Sequence, residues 1–529
     1  MDDKVTYRPA NKIRIVTAAS LFDGHDASIN IMRRIIQASG AEVIHLGHDR
    51  SVAEIVDCAI QEDANAIAVT CYQGGHMEFF KYMRDLLVER GCGHIRIFGG
   101  GGGTILPAEI EELQRYGITR IYHPDDGRAM GLQGMIDDLL SKCDFPLGQT
   151  LNGEVRELPT RDPRAIARLI SAAENHADLH AATLDEVRRA AAGSRTPVLG
   201  VTGTGGAGKS SLVDELVRRF LHDFEEKTVA VVSVDPSKRK TGGALLGDRI
   251  RMNAIQSDRV YMRSLATRQS NAAVSRHLQD AVDVVCAAGF DLVIVETSGI
   301  GQSDSEIVDY ADVTLYVMTP EYGAATQLEK IDMLDFADVV VLNKFDKRGA
   351  LDALRDVRKQ YRRSHKLWDG DEEALPVFGT IAPQFNDAGM NRLYRALMER
   401  IVAETGADLR SRLPASAEGA RGVAAIPASR TRYLAEIAEN NRGYDRWART
   451  QAATAQRLYA ARKTLETLAA EGRPEEAPAR EAIERTATRL EAELDPANLA
   501  LLRGWPALAK RYHDECFTFT VRDREVKIA

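Results

Sequence analysis

The segment Gly203-Thr204-Gly205-Gly206-Ala207-Gly208-Lys209-Ser210 constrains this chain more than any other. It fits G-x-x-x-x-G-K-[ST], the phosphate-cradling P-loop. An apolar run, Pro197-Val198-Leu199-Gly200-Val201, precedes it, and a helical pattern, Ser211-Leu212-Val213-Asp214-Glu215-Leu216, follows. Strand, glycine loop and helix in that order let backbone N–H groups close around phosphate oxygens, with the helix N-terminus adding a favourable dipole. Gly205, Gly206, Ala207 and Gly208 would line that cradle. Lys209 would reach the β/γ-phosphates, and the Ser210 hydroxyl would bind Mg²⁺.

A second motif selects the base. Val339-Val340-Val341-Leu342 reads as a buried parallel strand and runs into Asn343-Lys344-Phe345-Asp346, an N-K-x-D tetrapeptide. A carboxylate at Asp346 can accept from both N1–H and the exocyclic amine of guanine. Adenine offers neither proton, and a site that demands a hydrogen bond discriminates strongly against a base that lacks it. GTP is therefore the expected nucleotide.

Further carboxylates follow the loop. Val234-Asp235-Pro236-Ser237 closes a predicted strand, and Asp248 lies in Gly247-Asp248-Arg249-Ile250-Arg251. Both aspartates could equally be turn or cap formers. Glu296-Thr297-Ser298-Gly299 sits where a D-x-x-G motif is usual, so that Glu296 could hold Mg²⁺ and Gly299 could offer its N–H to the γ-phosphate.

With 529 residues the chain has room for roughly three or four domains. A net charge of −8 is modest for that size and argues against a general nucleic-acid binder. The basic run from Arg355 to Lys366 reads as a solvated helix face. No window approaches the ~18 apolar residues of a membrane span, and the N-terminus lacks a signal-peptide pattern. The six cysteines show no C-x-x-C pairing and read as reduced, mostly buried thiols of a cytoplasmic protein.

Residues 12–145 alternate short apolar runs (Ile13–Ala18, Ala41–Leu46, Ala66–Cys71, Ile95–Phe98, Ile118–Tyr122) with helical patterns (Ser28–Ala38, Val52–Gln61, Met77–Glu89, Pro107–Tyr116). That alternation predicts a doubly wound, flavodoxin-like parallel sheet, which binds ligands at the carboxyl ends of its strands. We expect four segments: this domain over 1–146, a helical connector over 147–195, a P-loop α/β domain over 196–405, and a helical linker over 406–529. In the linker, helical periodicity over 429–470 and 475–510 predicts an antiparallel hairpin. The strand-like Phe517–Val521 has no obvious partner in the nearby sequence.

Three loops of the first domain fall on one sheet edge. The first strand ends in Asp23-Gly24-His25-Asp26, where a histidine can aim one ring nitrogen at a metal while Asp23 holds the other; Asp26 serves equally well as a helix cap. The third strand ends Thr70-Cys71-Tyr72, and the fourth runs into five glycines, Gly99 to Gly103. Removing every side chain from a β-α turn lets a large ligand approach the backbone. Residues 12–145 resemble the cobalamin-binding domain of acyl-CoA mutases and related corrinoid proteins, whose signature is D-x-H-x-x-G, S-x-L and G-G. Asp23, His25, Gly99 and Gly100 match. Ser28 replaces the final glycine of the first element, and Thr70-Cys71-Tyr72 stands for S-x-L. The resemblance implies that His25 is the lower axial ligand to cobalt and that the cofactor's nucleotide tail lies near Thr70, Tyr72, Gly99 and Gly100.

Residues 160–400 resemble the G-protein chaperones of methylmalonyl-CoA mutase. That resemblance implies Mg²⁺ candidates at Ser210, Asp235, Asp248, Glu296 and Thr297. It implies GTP contacts from Gly205 through Ser210 and from Arg251, Asn343, Lys344 and Asp346, with Lys209 and Glu296 acting in hydrolysis. Gln302 is a candidate to position water, and residues 320–333 look like an additional loop read by the partner domain. The domain order resembles that of the fused isobutyryl-CoA mutases. It implies adenosylcobalamin, a substrate-binding TIM barrel in cis or in trans, an adenosyltransferase as cofactor donor, and a homodimer. The stretch after the linker is far shorter than the about 250 residues a (β/α)₈ barrel needs, so that barrel is expected to be absent here. Two alternatives are a metal chaperone using His25, His45, His48 and His76, and a GTP-dependent regulator whose first domain is a receiver-like or flavin-binding module. A receiver-like domain would need an aspartate at a central strand end, where Thr70-Cys71 stands.

Overall fold

The computed structural model describes residues 7–528, except 239–240, 269–276, 298–303, 324–327, 370, 414–431 and 522–523. Gly299, Gln302 and part of the 320–333 loop thus lie outside the described residues. By its contacts the chain divides into two compact units, Met1–Val423 and Ala424–Ala529.

The first unit begins with β1 (Arg14–Ser20), α1 (Asp26–Ala38), β2 (Glu42–Arg50), α2 (Val52–Gln61), β3 (Ala66–Thr70), α3 (His76–Glu89), β4 (Arg96–Gly100), α4 (Pro107–Tyr116), β5 (Arg120–Tyr122) and α5 (Pro124–Cys143). Local chemistry sets these boundaries. Ser51 and Glu54 form a reciprocal capping box at the start of α2. Pro107 opens α4 and Gly117, at φ 114°, closes it. Within α5, Gly131 (φ 71°, ψ 172°) interrupts the helix. Period-2 alternation sends one face of the strands to a cluster with Phe80, Leu87 and Leu113, and the other to a cluster with Phe98, Tyr122 and Leu139.

The connector supplies α6 (Pro163–His176) and α7 (Ala181–Ala192). Then come β6 (Val198–Gly203), α8 (Lys209–Asp223), β7 (Val229–Asp235), β8 (Ala244–Leu246), β9 (Val260–Ala266), α9 (Leu278–Ala287), β10 (Leu292–Thr297), β11 (Val313–Met318), β12 (Val339–Asn343), α10 (Ala350–Ser364), β13 (Val377–Thr380) and α11 (Ala388–Thr405). The second sheet has the order β13-β12-β11-β6-β10-β7-β9, all parallel. Its P-loop strand β6 lies centrally, between β10 and β11.

One strand departs from the sequence expectation. The first sheet reads β5-β4-β3-β1-β2-β8, so Ala244–Leu246, from within the P-loop range, adds a sixth parallel strand to the first domain. A buried ionic network joins the same parts. Arg14 meets Glu42, Glu62 and Glu174; Arg263 and Arg268 meet Glu174; Arg249 meets Glu62. Such groups add little net stability but penalise any packing that separates them, because each lost partner leaves a buried charge.

The second unit holds α12 (Tyr433–Glu471), α13 (Ala477–Glu493), α14 (Pro496–His513), β14 (Phe517–Val521) and β15 (Arg524–Ile528). Helices α12 and α13 pack around Leu458, Ala487, Leu490 and Leu494 as the expected hairpin. The second predicted helix is broken, however: Asp495 caps a new one and Pro496, which has no N–H to donate, occupies its first position. The strand Phe517–Val521 does have a partner. It pairs antiparallel with Arg524–Ile528, from Phe517↔Ile528 to Val521↔Arg524. The charged alternation Arg-Glu-Val-Lys-Ile hid that second strand from apolar pattern reading.

Candidate functional site

Two sites form at strand ends of the first unit. In the nucleotide domain, Gly203 (φ 144°) lies so close to β11 that a Cβ would stand 1.9 Å from the Val317 carbonyl oxygen. At Gly208 (φ 89°) a Cβ would stand 2.6 Å from Asn343 Nδ2. Gly206 (φ 74°) faces open space, as a phosphate-facing position requires. Lys209 starts α8, and its Nζ donates to the Gly203 carbonyl at 3.0 Å, across the mouth of the loop. Asn343 Nδ2 donates to Ala207 O (2.8 Å) and Lys344 Nζ to Gly206 O (2.8 Å). The N-K-x-D motif thus braces the P-loop, while Asp346 stays exposed on the following turn.

Beside Lys209, carboxylates from three elements converge. The Ser210 hydroxyl lies 2.8 Å from Glu296 Oε1 and 3.0 Å from Asp248 Oδ1, and the Ser233 hydroxyl donates to Asp248 Oδ2. Asp235 accepts from the Gly247 N–H at 3.1 Å. Arg251 remains at the exposed rim, 3.6 Å from Asp248. Burial, then the Asp248 charge, pushes the Asp235 carboxyl up to about 7. The same causes lift Glu296 well above the carboxylate range, against the Ser210 hydrogen bond and the Lys209 charge. Glu296 Oε2 and Thr297 Oγ1 are buried without a partner. These oxygens fit a hard cation such as Mg²⁺, which takes one or two carboxylates and completes its shell with water and phosphate. Among the described residues no group of three or more His, Cys, Asp or Glu side chains is placed to hold a metal ion by itself. Ser233 was not legible as a site residue, since a serine inside a strand carries no motif.

In the first domain, Asp23 is only 2% exposed and organises the sheet edge. Its Oδ2 accepts from the Tyr72 N–H (2.6 Å), and its Oδ1 accepts from the His25 N–H (2.9 Å) and lies 2.8 Å from His25 Nδ1. Burial raises its carboxyl, but the Tyr72 and His25 hydrogen bonds outweigh it and hold the group below the usual range. The His25 side chain is 74% exposed, leaving Nε2 free to point outward. The Tyr72 ring stands 5.2 Å from the imidazole.

A slot of about 320 Å³ opens beside this pair, between the sheet and α1 and α5. Ala68, Thr70, Phe98, Gly100 and Tyr122 contribute to it. Gly99 and Gly100 differ in role. A Cβ at Gly99 would strike Phe80 at 2.4 Å on the opposite face, so packing demands that glycine. At Gly100 a Cβ would meet only the Tyr122 carbonyl at 3.5 Å, so its missing side chain serves the slot. The Thr70 and Ser28 hydroxyls are buried in the lining without partners. Small side chains, unpaired hydroxyls and a braced outward histidine fit a large ring-bearing cofactor with a polar tail. The four histidines of the metal-chaperone alternative do not converge: His45 is buried against Thr17 (2.9 Å), where burial drives its pKa down to about 4, and His76 pairs with Glu109 (2.9 Å).

The family profile described as methylmalonyl Co-A mutase-associated GTPase MeaB matches residues 163–458, more than half of the chain. The chain belongs to the MeaB GTPase family. A B12 binding domain profile matches residues 13–130, the domain that holds Asp23, His25 and the slot. The chain is 55% identical over 528 residues to a fused isobutyryl-CoA mutase of Geobacillus kaustophilus, covering 98% of this chain and 48% of that protein. It is 50% identical over 526 residues to a fused isobutyryl-CoA mutase of Cupriavidus metallidurans, covering 98% and 47%. A putative GTPase of Pyrococcus horikoshii is 37% identical over 261 residues, covering 49% of this chain and 80% of the relative. The chain therefore spans about half the length of the fused mutases it matches. Among the described residues no helix is long and apolar enough to cross a membrane.

Proposed function

We propose that this chain is the cobalamin-carrying, GTP-hydrolysing chaperone portion of an acyl-CoA mutase that interconverts isobutyryl-CoA and n-butyryl-CoA. The observation that carries the reading is the Asp23-braced His25 beside the slot, in the same compact unit as a P-loop with its converging carboxylates. Adenosylcobalamin, when bound, supplies the radical chemistry of the rearrangement. Asp23 keeps the His25 Nδ1 proton and thereby presents Nε2 to the cobalt. The slot, with the Thr70 and Ser28 hydroxyls, takes the nucleotide tail.

At the second site, Ser210, Asp248 and Glu296 would hold Mg²⁺, with Asp235 and Thr297 as further candidate ligands. Lys209 moves from the Gly203 carbonyl onto the incoming phosphates and neutralises charge developing on them. GTP binding and hydrolysis reorder these loops and gate cofactor loading. The substrate barrel, in cis or in trans, and an adenosyltransferase as cofactor donor are the proposed partners; the assembly is proposed to be a cytoplasmic homodimer.

A titration with adenosylcobalamin tests this reading by visible spectroscopy. Wild type should give a base-off, histidine-ligated spectrum that His25→Ala loses. Lys209→Ala should abolish GTP hydrolysis and leave that spectrum intact. No spectral change with wild type would refute the cobalamin assignment; loss of the spectrum in Lys209→Ala would refute independent sites.

A further inference from the structure

The loop that carries Asp248 to the GTP site is built on the first domain. Strand β8 pairs with β2 at Glu42↔Ala244, Val43↔Leu245 and Ile44↔Leu246. Just before it, Gly243 lies so close to the end of α1 that a Cβ would stand 2.0 Å from Gln37 O. Three consecutive residues then face three ways. Asp248 meets Ser210 and Ser233. Arg249, 5% exposed, donates from Nε to Glu62 Oε1 (2.8 Å), and from Nη2 to Gln61 Oε1 (2.9 Å) and to the Met262 carbonyl. Ile250 packs at Gly47 of β2, where a Cβ would stand 2.8 Å from its Cδ1.

Asp248 needs such an anchor. Its two carboxylate oxygens reach the Ser210 and Ser233 hydroxyls, and hydrogen bonds weaken steeply as donor and acceptor separate, so the backbone of the loop must be held in place. Arg249 is bonded to Asp248 through one peptide, about 3.8 Å between Cα atoms. Its planar fork is fixed by three acceptors, so it cannot shift without leaving buried partners unpaired. Two of those acceptors, Gln61 and Glu62, close helix α2 of the cobalamin-binding domain.

We propose that Arg249, seated on Glu62, is a positioning residue of the GTPase: helix α2 of the first domain sets where Asp248 stands relative to Ser210. This rests on the reading of Ser210 and Asp248 as the Mg²⁺ site. The P-loop cradle itself does not depend on the pair; only the metal-dependent part of nucleotide binding does.

The test is the affinity of the full chain for a fluorescent N-methylanthraniloyl GDP, measured in excess Mg²⁺ and again in EDTA. Wild type should bind more tightly with Mg²⁺. Arg249→Met and Glu62→Gln should keep the EDTA affinity, which reports a folded P-loop, and lose about tenfold of the Mg²⁺ enhancement, or 1.4 kcal/mol. Arg249→Lys, keeping the charge without the fork, should recover part of it. Glu62→Gln keeps the shape of the side chain and decides the matter if Arg249→Met fails to fold. An unchanged Mg²⁺ enhancement in both variants overturns the proposal. No enhancement in wild type refutes the Mg²⁺ reading on which it rests.

Discussion

Asp23→Asn separates support of the proposed cofactor ligand, His25, from the ligand itself. The buried carboxylate has two oxygens, and both accept: Oδ2 from the Tyr72 N–H at 2.6 Å, Oδ1 from the His25 N–H at 2.9 Å with the imidazole Nδ1 at 2.8 Å. An asparagine offers one acceptor oxygen, so its amide N–H₂ must face a donor on one side. Losing a hydrogen bond to a charged group costs about 1.5–3 kcal/mol, and the facing donors place this change at the upper end. The cost should lower the first unfolding transition by several degrees. His25→Ala should cost under about 0.5 kcal/mol, since its side chain is 74% exposed. Cobalamin affinity should behave differently. Asp23→Asn should weaken it about 10–100-fold by freeing the imidazole, while His25→Ala should remove the histidine-ligated spectrum altogether. Because the Asp23 pKa is lowered, its contribution is fully present above the unfolded value near 3.8 and is lost as pH falls through the lower folded value. Measurements at pH 7 therefore read the full effect. The reasoning is refuted if His25→Ala destabilises as much as Asp23→Asn, or if Asp23→Asn leaves both transition and affinity unchanged.

Gly101→Ala should destabilise the first domain and lower its soluble yield, because the new Cβ would stand 2.0 Å from the Cys71 carbonyl oxygen; Gly103→Ala, with nothing within 4 Å, is the control and should behave as wild type. The pH dependence at the proposed Mg²⁺ site has the opposite sign from that of Asp23. A carboxyl raised in the folded state, as Asp235 is to about 7, withdraws stability as pH rises from its unfolded value through the folded one. A bound cation replaces those protons, so the thermal upshift from Mg²⁺ and GDP should be larger at pH 8 than at pH 6. Equal upshifts in calorimetry would contradict it.

The motifs were legible because their chemistry is local. Five glycines, G-x-x-x-x-G-K-S and N-K-x-D each concentrate a backbone requirement or a hydrogen-bond code in a few neighbouring residues. Strand and helix periodicity likewise told a parallel α/β architecture from its own spacing. The division of labour between Gly99 and Gly100 was not legible, since two identical residues differ only in which sheet face each one opens. Nor was the bracing role of Asn343 and Lys344, which depends on the carbonyls of Gly206 and Ala207 being brought beside β12. Strand β15 carries no apolar run to read, because charged residues fill three of its five positions.

By itself, then, the amino-acid order determined the two sheets, the phosphate loop, the guanine motif and the Asp23–His25 pair. Each rests on interactions within a few residues or on a repeating period. Only the tertiary structure decided that Ala244–Leu246 leaves its own domain to join the other sheet, and that Arg249 reaches Glu62 across that junction. Edge-strand pairing and buried charge pairing are satisfied by any partner of suitable geometry, and geometry of that kind exists only after both sheets have packed.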